Sequence, residues 1–283
     1  VVISDYAKGS IKKNTVEKIL KKKCKVFVDP KNPPNYFKNV FLIKPNMEKF
    51  SEWFGKFTKK KAMTAMKKMN WEWLVITDGK KGVHVFKKDG TNTFFKAKKV
   101  TNPDVTGAGD IFFSVLIYSY IQGYDIFTAS CLANNASSKL VAKKGVQIVQ
   151  KKDLKSNIVF ANGVFDTFHE GHKKLLSFAK SLGKKLVVGI NSDKSVSLLK
   201  GEDRPRDKLK KRIDNLKKTK LISKITVFSS KTPLKLIKNI KPDLIVKGGD
   251  YKFSSVVGRN FSNIVIFPRI KNFSSSKIIK KII

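Results

Sequence analysis

The sequence predicts an α/β protein made of two consecutive domains, and three observations support this class. Short apolar segments alternate with amphipathic segments along the chain, as strands and helices do when they pack in layers. A length of 283 residues fits two domains of ordinary size. Hydrophobic residues make up 41% of the chain, which is enough for a core in each domain.

The first domain is expected over residues 1–150. Its predicted strands are "VVISDY", "KVFVDP", "VFLIKPN" and "WLVITDG", and its predicted helices are "TVEKILKKK" and residues 110–122. "GVHVF" and "TNTFFKA" flank the turn sequence "KKDG" and predict a β-hairpin. Because the chain opens on a strand, without an initiating Met or a signal peptide, we expect it to begin inside a domain.

The second domain is expected over residues 158–283, after a polar linker at 151–157. Its predicted strands are "NIVFANGVFD", "KLVVGINSD", "ITVFSS", "DLIVKGGD" and "NIVIFP". The helices between them are "KKLLSFAKSLG", "KLKKRIDNLKKT" and "PLKLIKNI", and "SSSKIIKKII" resembles a final short helix with a Ser cap. Each unit has the length of a βα pair, so this domain is predicted to form a parallel sheet.

The composition limits the classes of partner. The net charge is +39, but almost all of it is Lys, with only five Arg, and the lysines are spread along the whole chain. This pattern favours solvated surfaces that attract anionic small molecules over a nucleic-acid interface. No apolar run reaches about 18 residues, so no membrane partner is expected. Cys24 and Cys131 lack metal-ligand spacing and indicate plain thiols in a reducing cytoplasm.

The first chemical motif is "DVTGAGD" (104–110), which continues into the apolar helix "IFFSVLIYSY". Gly107 and Gly109 allow the backbone to approach an anion, and the helix directs its free N–H groups to the same place. Asp110, on the first turn, can accept a proton from an attacking hydroxyl, as phosphoryl transfer requires. For the motif alone, an Asp that only stabilises a helix N-terminus is the alternative.

Four motifs together resemble the ribokinase-like sugar kinases in order and spacing: "SDYAKG", "DPK", "KPN" and "VTNPDVTGAGD". The resemblance implies that Asp110 is the catalytic base of phosphoryl transfer. It further implies that Gly107, Ala108 and Gly109 form an anion hole. The implied nucleotide site contains Asn46, Thr77 and Gly79.

The chain departs from the kinase pattern in two ways. The family usually has Glu three residues after the Asn of this motif, but here Lys49 stands there and Glu48 comes one position early. The resemblance covers only residues 1–150, the C-terminal half of such a kinase. The half that carries most sugar-binding residues and the lid is missing, so we expect a truncated kinase domain.

The second motif, "ANGVFDTFHEGHKKLL", contains two of the three histidines of the chain. The pattern places His169 and His172 where a strand ends and a helix begins, at the edge of a parallel sheet where ligands bind. Gly171 allows close backbone approach, so both imidazoles and the helix N-terminus can face one anion. Capping and packing histidines are an alternative, and so is a zinc site with Asp166, although no further Cys or His supports zinc.

This half resembles the HxGH nucleotidyltransferases through "NGVFDTFHEGH", "VGINSDKSVSLLKGEDRP", "KTPLKLIKNIKPDLIVKGGDY" and "SSSKIIKKI". With the kinase-like half before it, the chain is similar to the bifunctional heptose-7-phosphate kinase/heptose-1-phosphate adenylyltransferases. The resemblance implies a partial ribokinase-like α/β domain, followed by a Rossmann-like nucleotidyltransferase domain with a parallel sheet.

The implied reaction transfers AMP from ATP to a heptose 1-phosphate and yields ADP-heptose and pyrophosphate, for lipopolysaccharide core precursors. The kinase domain would phosphorylate heptose 7-phosphate at O1. Implied cofactors are ATP and Mg²⁺, the partners are small-molecule substrates, and a homo-oligomer, a dimer, is expected in the cytoplasm. A related cytidylyltransferase that acts on glycerol 3-phosphate or another small phosphate is the alternative.

By the same resemblance, His169 and His172 donate hydrogen bonds to phosphates as charge develops. Lys200 and Arg204 bind phosphate oxygens, and Lys247 reaches phosphates or sugar. The other residues implied in nucleotide and phosphate binding are Asn162, Gly163, Phe165, Asp166, Gly171, Asp193, Gly248, Gly249, Asp250, Ser274, Ser275 and Ser276. Three alternatives stay open: a turn-forming Asp193, an Asp250 that only supports the site, and a Ser stretch that only caps a helix. Arg206 stands where that family usually has a small apolar residue, and nothing in the sequence explains this departure.

Overall fold

The computed structural model describes residues 1–145, 147–249, 251 and 253–267. The chain divides into two compact units, one over Val1–Asp153 and one that begins at Leu154. Both units have the predicted α/β class, and within the described residues no helix is long and apolar enough to cross a membrane.

The first unit contains one six-stranded sheet. Its strands are β1 (Val2–Ser4), β2 (Phe27–Asp29), β3 (Leu42–Ile43), β4 (Trp73–Thr77), β5 (Gly82–Lys87) and β6 (Asn92–Lys96). Its helices are α1 (Lys13–Lys21), α2 (Met47–Phe54), α3 (Lys59–Met69), α4 (Ala108–Ile121) and α5 (Ile126–Leu140). The strands follow in chain order; β1 to β4 are parallel, and β5 and β6 form the predicted antiparallel hairpin.

The packing of this unit follows from its apolar strands. Buried residues of α1, α2 and α3 share one core cluster with the sheet, while α4 and α5 pack on each other and α5 contacts the hairpin. Trp71 is fully buried there, and its indole N–H donates to the Phe37 carbonyl at 2.6 Å. Gly82 is required where the hairpin begins, because it has φ of 132° and a Cβ would lie 2.0 Å from the Phe95 carbonyl oxygen.

Along the chain, the boundary between the two units falls within the segment 151–157, for which the sequence predicts a linker. The structure has α6 (Lys151–Leu154) there, and the next strand begins at Ser156, before the predicted start of the second domain at 158. The backbone amides of Asn157 and Ile158 both donate to the Asp243 carboxylate, which fixes the start of that strand. The segment is therefore ordered secondary structure.

The second unit contains one five-stranded sheet. Its strands are β7 (Ser156–Gly163), β8 (Gly183–Asn191), β9 (Lys224–Phe228), β10 (Leu244–Gly248) and β11 (Asn263–Phe267). Its helices are α7 (Glu170–Ser181), α8 (Asp193–Lys200), α9 (Leu209–Lys218) and α10 (Leu234–Ile240). All strand pairs are parallel, as predicted, in the order β11-β10-β7-β8-β9.

This strand order indicates where a ligand would bind in the second unit. From β7 the chain builds β8 and β9 on one side, then returns to add β10 and β11 on the other side of β7. The order therefore reverses between β7 and β10. In open α/β sheets, ligands bind outside the carboxyl ends of the strands at such a reversal.

Candidate active sites

A cavity of about 770 Å³ in the first unit lies at the carboxyl ends of β1 to β4 and the N-terminus of α4. Every residue that the sequence implies for the kinase-like site lines this cavity. These residues are Asn46, Thr77, Gly79, Gly107, Ala108, Gly109 and Asp110.

The N-terminus of α4 forms one wall of the cavity. Gly107 is the N-cap residue in a left-handed conformation, with φ of 70°, so the turn before the helix needs glycine. The free N–H groups of the first turn and the positive end of the helix dipole can then act on an anion. Asp110 lies on this turn, and the Tyr6 hydroxyl donates to its Oδ1 at 3.2 Å.

A buried ion pair next to Asp110 was not predicted from the sequence. Lys44 Nζ lies 3.0 Å from Asp29 Oδ2, and only 4% of the Lys44 side chain is exposed. Burial raises the pKa of Asp29; Lys44 lowers it in part, and the charge of Asp110 raises it further. Two carboxylates and one lysine therefore share this wall. The sequence feature that could have indicated this ion pair is the position of Lys44 in "KPN", directly after an apolar strand.

The departure at Lys49 also has a structural account. The Asn46 side chain caps α2 by accepting from the Lys49 backbone N–H at 2.8 Å. The Lys49 ammonium turns to Glu52 on the same helix, at 2.9 Å. The cation that replaces the usual Glu is thus partly neutralised within α2.

The histidine pair lies at the start of α7, in the second unit. His169 is the N-cap residue and His172 lies on the first turn, with the two rings stacked at 3.8 Å between centroids. The His169 backbone N–H donates to His172 Nδ1 at 3.4 Å. Because Nδ1 accepts this bond, the proton of a neutral His172 ring is on Nε2, where it can be donated to a ligand.

The charge state of the pair follows from its surroundings. Burial, followed by the charges of His169 and Lys200, lowers the pKa of His172 to about 3. Burial also lowers the pKa of His169. Both rings are therefore neutral at pH 7 in the free protein and act as hydrogen-bond donors, while the fixed positive charge comes from lysines.

Lys247 lies at the strand-order reversal. It is the penultimate residue of β10, 6% exposed, and its ammonium donates to the Asn162 carbonyl of β7 at 3.3 Å. It also lies 4.6 Å from the Tyr251 ring centroid. Burial lowers the pKa of Lys247 to about 8, and no carboxylate within the described residues forms an ion pair with it. The side-chain oxygen Oδ1 of Asn162 is also buried, and among the described residues it has no hydrogen-bond partner.

Asp166 fixes the loop between β7 and α7. Its carboxylate, 2% exposed, accepts from Arg204 Nη1 at 2.9 Å and from the backbone amides of Arg206 and Asp207 at 3.2 and 3.0 Å. Burial raises the pKa of Asp166, but these three donors outweigh it and hold the pKa below its ordinary value. Arg204 is thus engaged by Asp166. Arg206 contributes only its backbone amide to this contact, which any residue except proline could supply, so the structure does not explain why an arginine stands there.

The remaining implied residues have varied positions. Asp193 pairs with Arg212, Lys200 ends α8, and Phe165 packs against His172 at 5.3 Å. Four glycines lie at strand ends or on the first turn of α7: Gly163, Gly171, Gly248 and Gly249. The others lie outside the described residues: Asp250, Ser274, Ser275 and Ser276. In the described part of the chain, no group of three or more His, Cys, Asp or Glu could hold a metal ion.

Comparison with known proteins agrees with the two units. Residues 12–153 match the pfkB family carbohydrate kinase model, and residues 160–281 match the cytidylyltransferase-like model. The bifunctional protein HldE of Coxiella burnetii (strain Dugway 5J108-111) is 31% identical over 100% of this chain and 69% of its own length. The chain belongs to the family of bifunctional HldE proteins.

Two other HldE relatives support this assignment. The protein of a Nitratiruptor species is 32% identical over 99% of this chain, and that of Campylobacter jejuni subsp. doylei is 35% identical over 100%. Each alignment covers 69% of the relative. The predicted family and the prediction of an enzyme are confirmed: the chain carries a carbohydrate kinase domain and a nucleotidyltransferase domain.

Removing the Asp166 carboxylate should destabilise the nucleotidyltransferase domain. Asp166→Ala is expected to lower the free energy of unfolding by about 3 kcal/mol, because it leaves a buried Arg204 contact and two amides without an acceptor. Because the folded-state pKa is lowered, this stabilisation is present above the unfolded-state pKa and is lost as the pH falls through the folded-state value.

Urea denaturation of the wild type and the variant tests this expectation. Asp214→Ala is the control, because Asp214 is exposed on α9. A loss for Asp166→Ala no larger than that for the control would show that the loop is not held by this carboxylate.

Proposed function

We propose that the second unit transfers AMP from ATP to a heptose 1-phosphate, giving ADP-heptose and pyrophosphate for lipopolysaccharide core precursors. One observation carries this proposal: the histidine pair and Lys247 lie at the carboxyl end of β7, where the strand order reverses. Neutral N–H donors, a helix N-terminus and a buried ammonium suit a polyphosphate.

In the proposed reaction, an oxygen of the sugar phosphate attacks the α-phosphorus of ATP. The bond from this phosphorus to the oxygen that bridges the α- and β-phosphates breaks, and pyrophosphate leaves with that electron pair. Catalysis then depends on positioning and on stabilisation of the developing charge. In this proposal His169 and His172 donate hydrogen bonds to the phosphates. Lys247 and Lys200 supply positive charge next to them. Gly171 allows the backbone of the first turn to approach them.

Mg²⁺ fits this site as the counter-ion of the nucleotide. The buried Asp166 carboxylate already accepts three hydrogen bonds, so phosphate oxygens and water would supply most of the oxygen ligands that Mg²⁺ takes. When bound with ATP, Mg²⁺ offsets the charge of the triphosphate. The roles of the chain in this proposal are to orient the phosphates and to supply donors to them.

For the first unit we propose the nucleotide and phosphoryl-transfer side of a sugar kinase that phosphorylates heptose 7-phosphate at O1, an activity that also needs the half of such a kinase that carries most sugar-binding residues. Asp110 would be the base, the turn 107–109 would bind the transferred phosphoryl group, and Asn46, Thr77 and Gly79 would lie along the nucleotide. All of them line one cavity, which supports a common ligand. We propose a cytoplasmic, dimeric enzyme, and light scattering after size-exclusion chromatography measures the oligomeric state.

The alternative is a cytidylyltransferase that acts on glycerol 3-phosphate or another small phosphate, and the cytidylyltransferase-like family match favours it. Pyrophosphate release should be measured for ATP and CTP, each with heptose 1-phosphate and with glycerol 3-phosphate, in the presence of Mg²⁺. We expect the pair of ATP and heptose 1-phosphate to react at least about tenfold faster than any other, a difference of roughly 1.4 kcal/mol in barrier. Fastest release from CTP and glycerol 3-phosphate would establish the alternative instead.

A further inference from the structure

Arg212, to which the sequence assigned no role, is a fully buried cation beside the histidine loop. It lies near the start of α9 with 0% of its surface exposed. Its Nη1 donates to the Val164 carbonyl at 2.7 Å, and its Nη2 donates to the Asn191 carbonyl and to Asp193 Oδ1, both at 2.8 Å. A guanidinium is buried only at a large desolvation cost, so these acceptors define a specific site for it.

The three acceptors lie at the carboxyl edge of the sheet. Val164 directly follows β7, Asn191 is the last residue of β8, and Asp193 is the first residue of α8. The other oxygen of Asp193 accepts from the Leu209 backbone N–H, the first of α9, at 3.2 Å. Arg212 therefore connects α9 to the ends of two neighbouring strands.

The loop that follows Val164 needs such support. Phe165 and Thr167 are not glycines, yet they have φ values of 53° and 45°, in the left-handed region that is costly for L-residues. Asp166 holds the loop between them, and Arg212 holds it directly before the first. The Phe165 ring then packs on the His172 ring, with 5.3 Å between centroids. Displacement of Val164 would thus be transmitted to the histidine pair.

We propose that Arg212 is a positioning residue for nucleotidyl transfer, which fixes the histidine loop through the Val164 carbonyl without touching substrate. This inference rests on the proposed function of the second unit. Because Arg212 has no exposed surface, it can act on the reaction only through the residues that it holds, and Val164 is the one that leads into the histidine loop.

The kinetic test compares Arg212→Met and Arg212→Lys with the control Lys210→Met, an exposed lysine on the same helix. We expect Arg212→Met to lower kcat for pyrophosphate release by about 100-fold, because small misplacements of catalytic groups have effects of this size. KM for ATP should change less, by roughly threefold, because the charged contacts to ATP remain. The kcat of Arg212→Lys should lie between those of the wild type and Arg212→Met, because one ammonium cannot make all the hydrogen bonds of a planar guanidinium.

The spectroscopic test is the NMR titration of His172, which needs no turnover and so separates this inference from the proposed function. If the loop relaxes in either Arg212 variant, the ring becomes hydrated and its pKa rises from about 3 towards the ordinary value. If Arg212 only stabilises the fold, the variants will have a lower melting temperature but, below it, the wild-type His172 titration and the wild-type kcat. That result would overturn the proposal. If Arg212→Met does not fold, Arg212→Lys decides by the same two measurements.

Discussion

Replacing His172 with alanine is expected to lower kcat for nucleotidyl transfer by about 10²–10³-fold, the effect of losing one aligned donor to a developing charge. The variant removes the Nε2–H group that we assign to the phosphates. The fold should persist, because α7 keeps its packing through Leu176 and Ala179, which are fully buried. Initial rates of pyrophosphate release at saturating ATP measure the loss, and circular dichroism confirms the fold.

Two further variants make this experiment specific. His172→Gln retains an N–H donor and should recover part of the lost rate. His84→Ala is the matched control, because His84 lies in β5 of the first unit among Phe57 and Phe94. Near-wild-type turnover of His172→Ala would show that the histidine only packs against its neighbours.

Replacing Lys247 with methionine is expected to raise KM for ATP by about 10- to 100-fold, which corresponds to the loss of one charged hydrogen bond. Methionine preserves much of the buried stem, so the β10 packing should survive. Lys247→Arg keeps the charge and should remain closer to the wild type. Lys235→Met, at an exposed lysine on α10, is the control.

The pH dependence of KM provides a second measurement on Lys247. With a pKa of about 8, the ammonium is charged at pH 7 and is lost as the pH rises through 8, so wild-type KM for ATP should increase between pH 7 and pH 9. Bound phosphate favours the charged form and raises the pKa in the complex. Lys247→Met should show no such increase over this interval. A wild-type KM that stays constant from pH 7 to pH 9 would contradict the assignment of this charge.

Much of the fold could be predicted because the apolar segments are easy to recognise. Strands β4, β8 and β10 each contain a short run of Val, Ile or Leu that is buried in its sheet, and each run is followed by a polar or glycine-containing turn. The histidine pair could be placed for the same reason, since β7 ends and α7 begins on either side of the short segment 164–169.

Helix α5 was not predicted because its polar residues are buried. Asn134 and Asn135 lie in the helix interior, and Asn134 donates to the Lys96 carbonyl at 2.8 Å. Buried polar residues of this kind remove the alternation by which an amphipathic helix is recognised. The part of the cavity wall that α5 provides, with Asn134, Ser137 and Ser138, was missed for this reason.

The buried ion pairs were beyond prediction for a different reason. Arg204 and Asp166 are 38 residues apart, and Arg212 and Asp193 are 19 apart. In a chain with 60 Lys and Arg residues, nothing in the sequence distinguishes a cation that pairs with a buried carboxylate from one that faces water. Arg204 comes from the segment between α8 and α9, and Arg212 comes from α9, so these partners meet only when both parts pack at the carboxyl ends of β7 and β8.

The most direct test of nucleotidyl transfer is one ³¹P NMR spectrum of the chain with Mg²⁺, ATP and heptose 1-phosphate. Attack at the α-phosphorus predicts pyrophosphate together with an equal amount of a new pair of coupled diphosphate signals from ADP-heptose, and no ADP. Formation of ADP without pyrophosphate would place the attack at the γ-phosphorus and would contradict the role given to the histidine site.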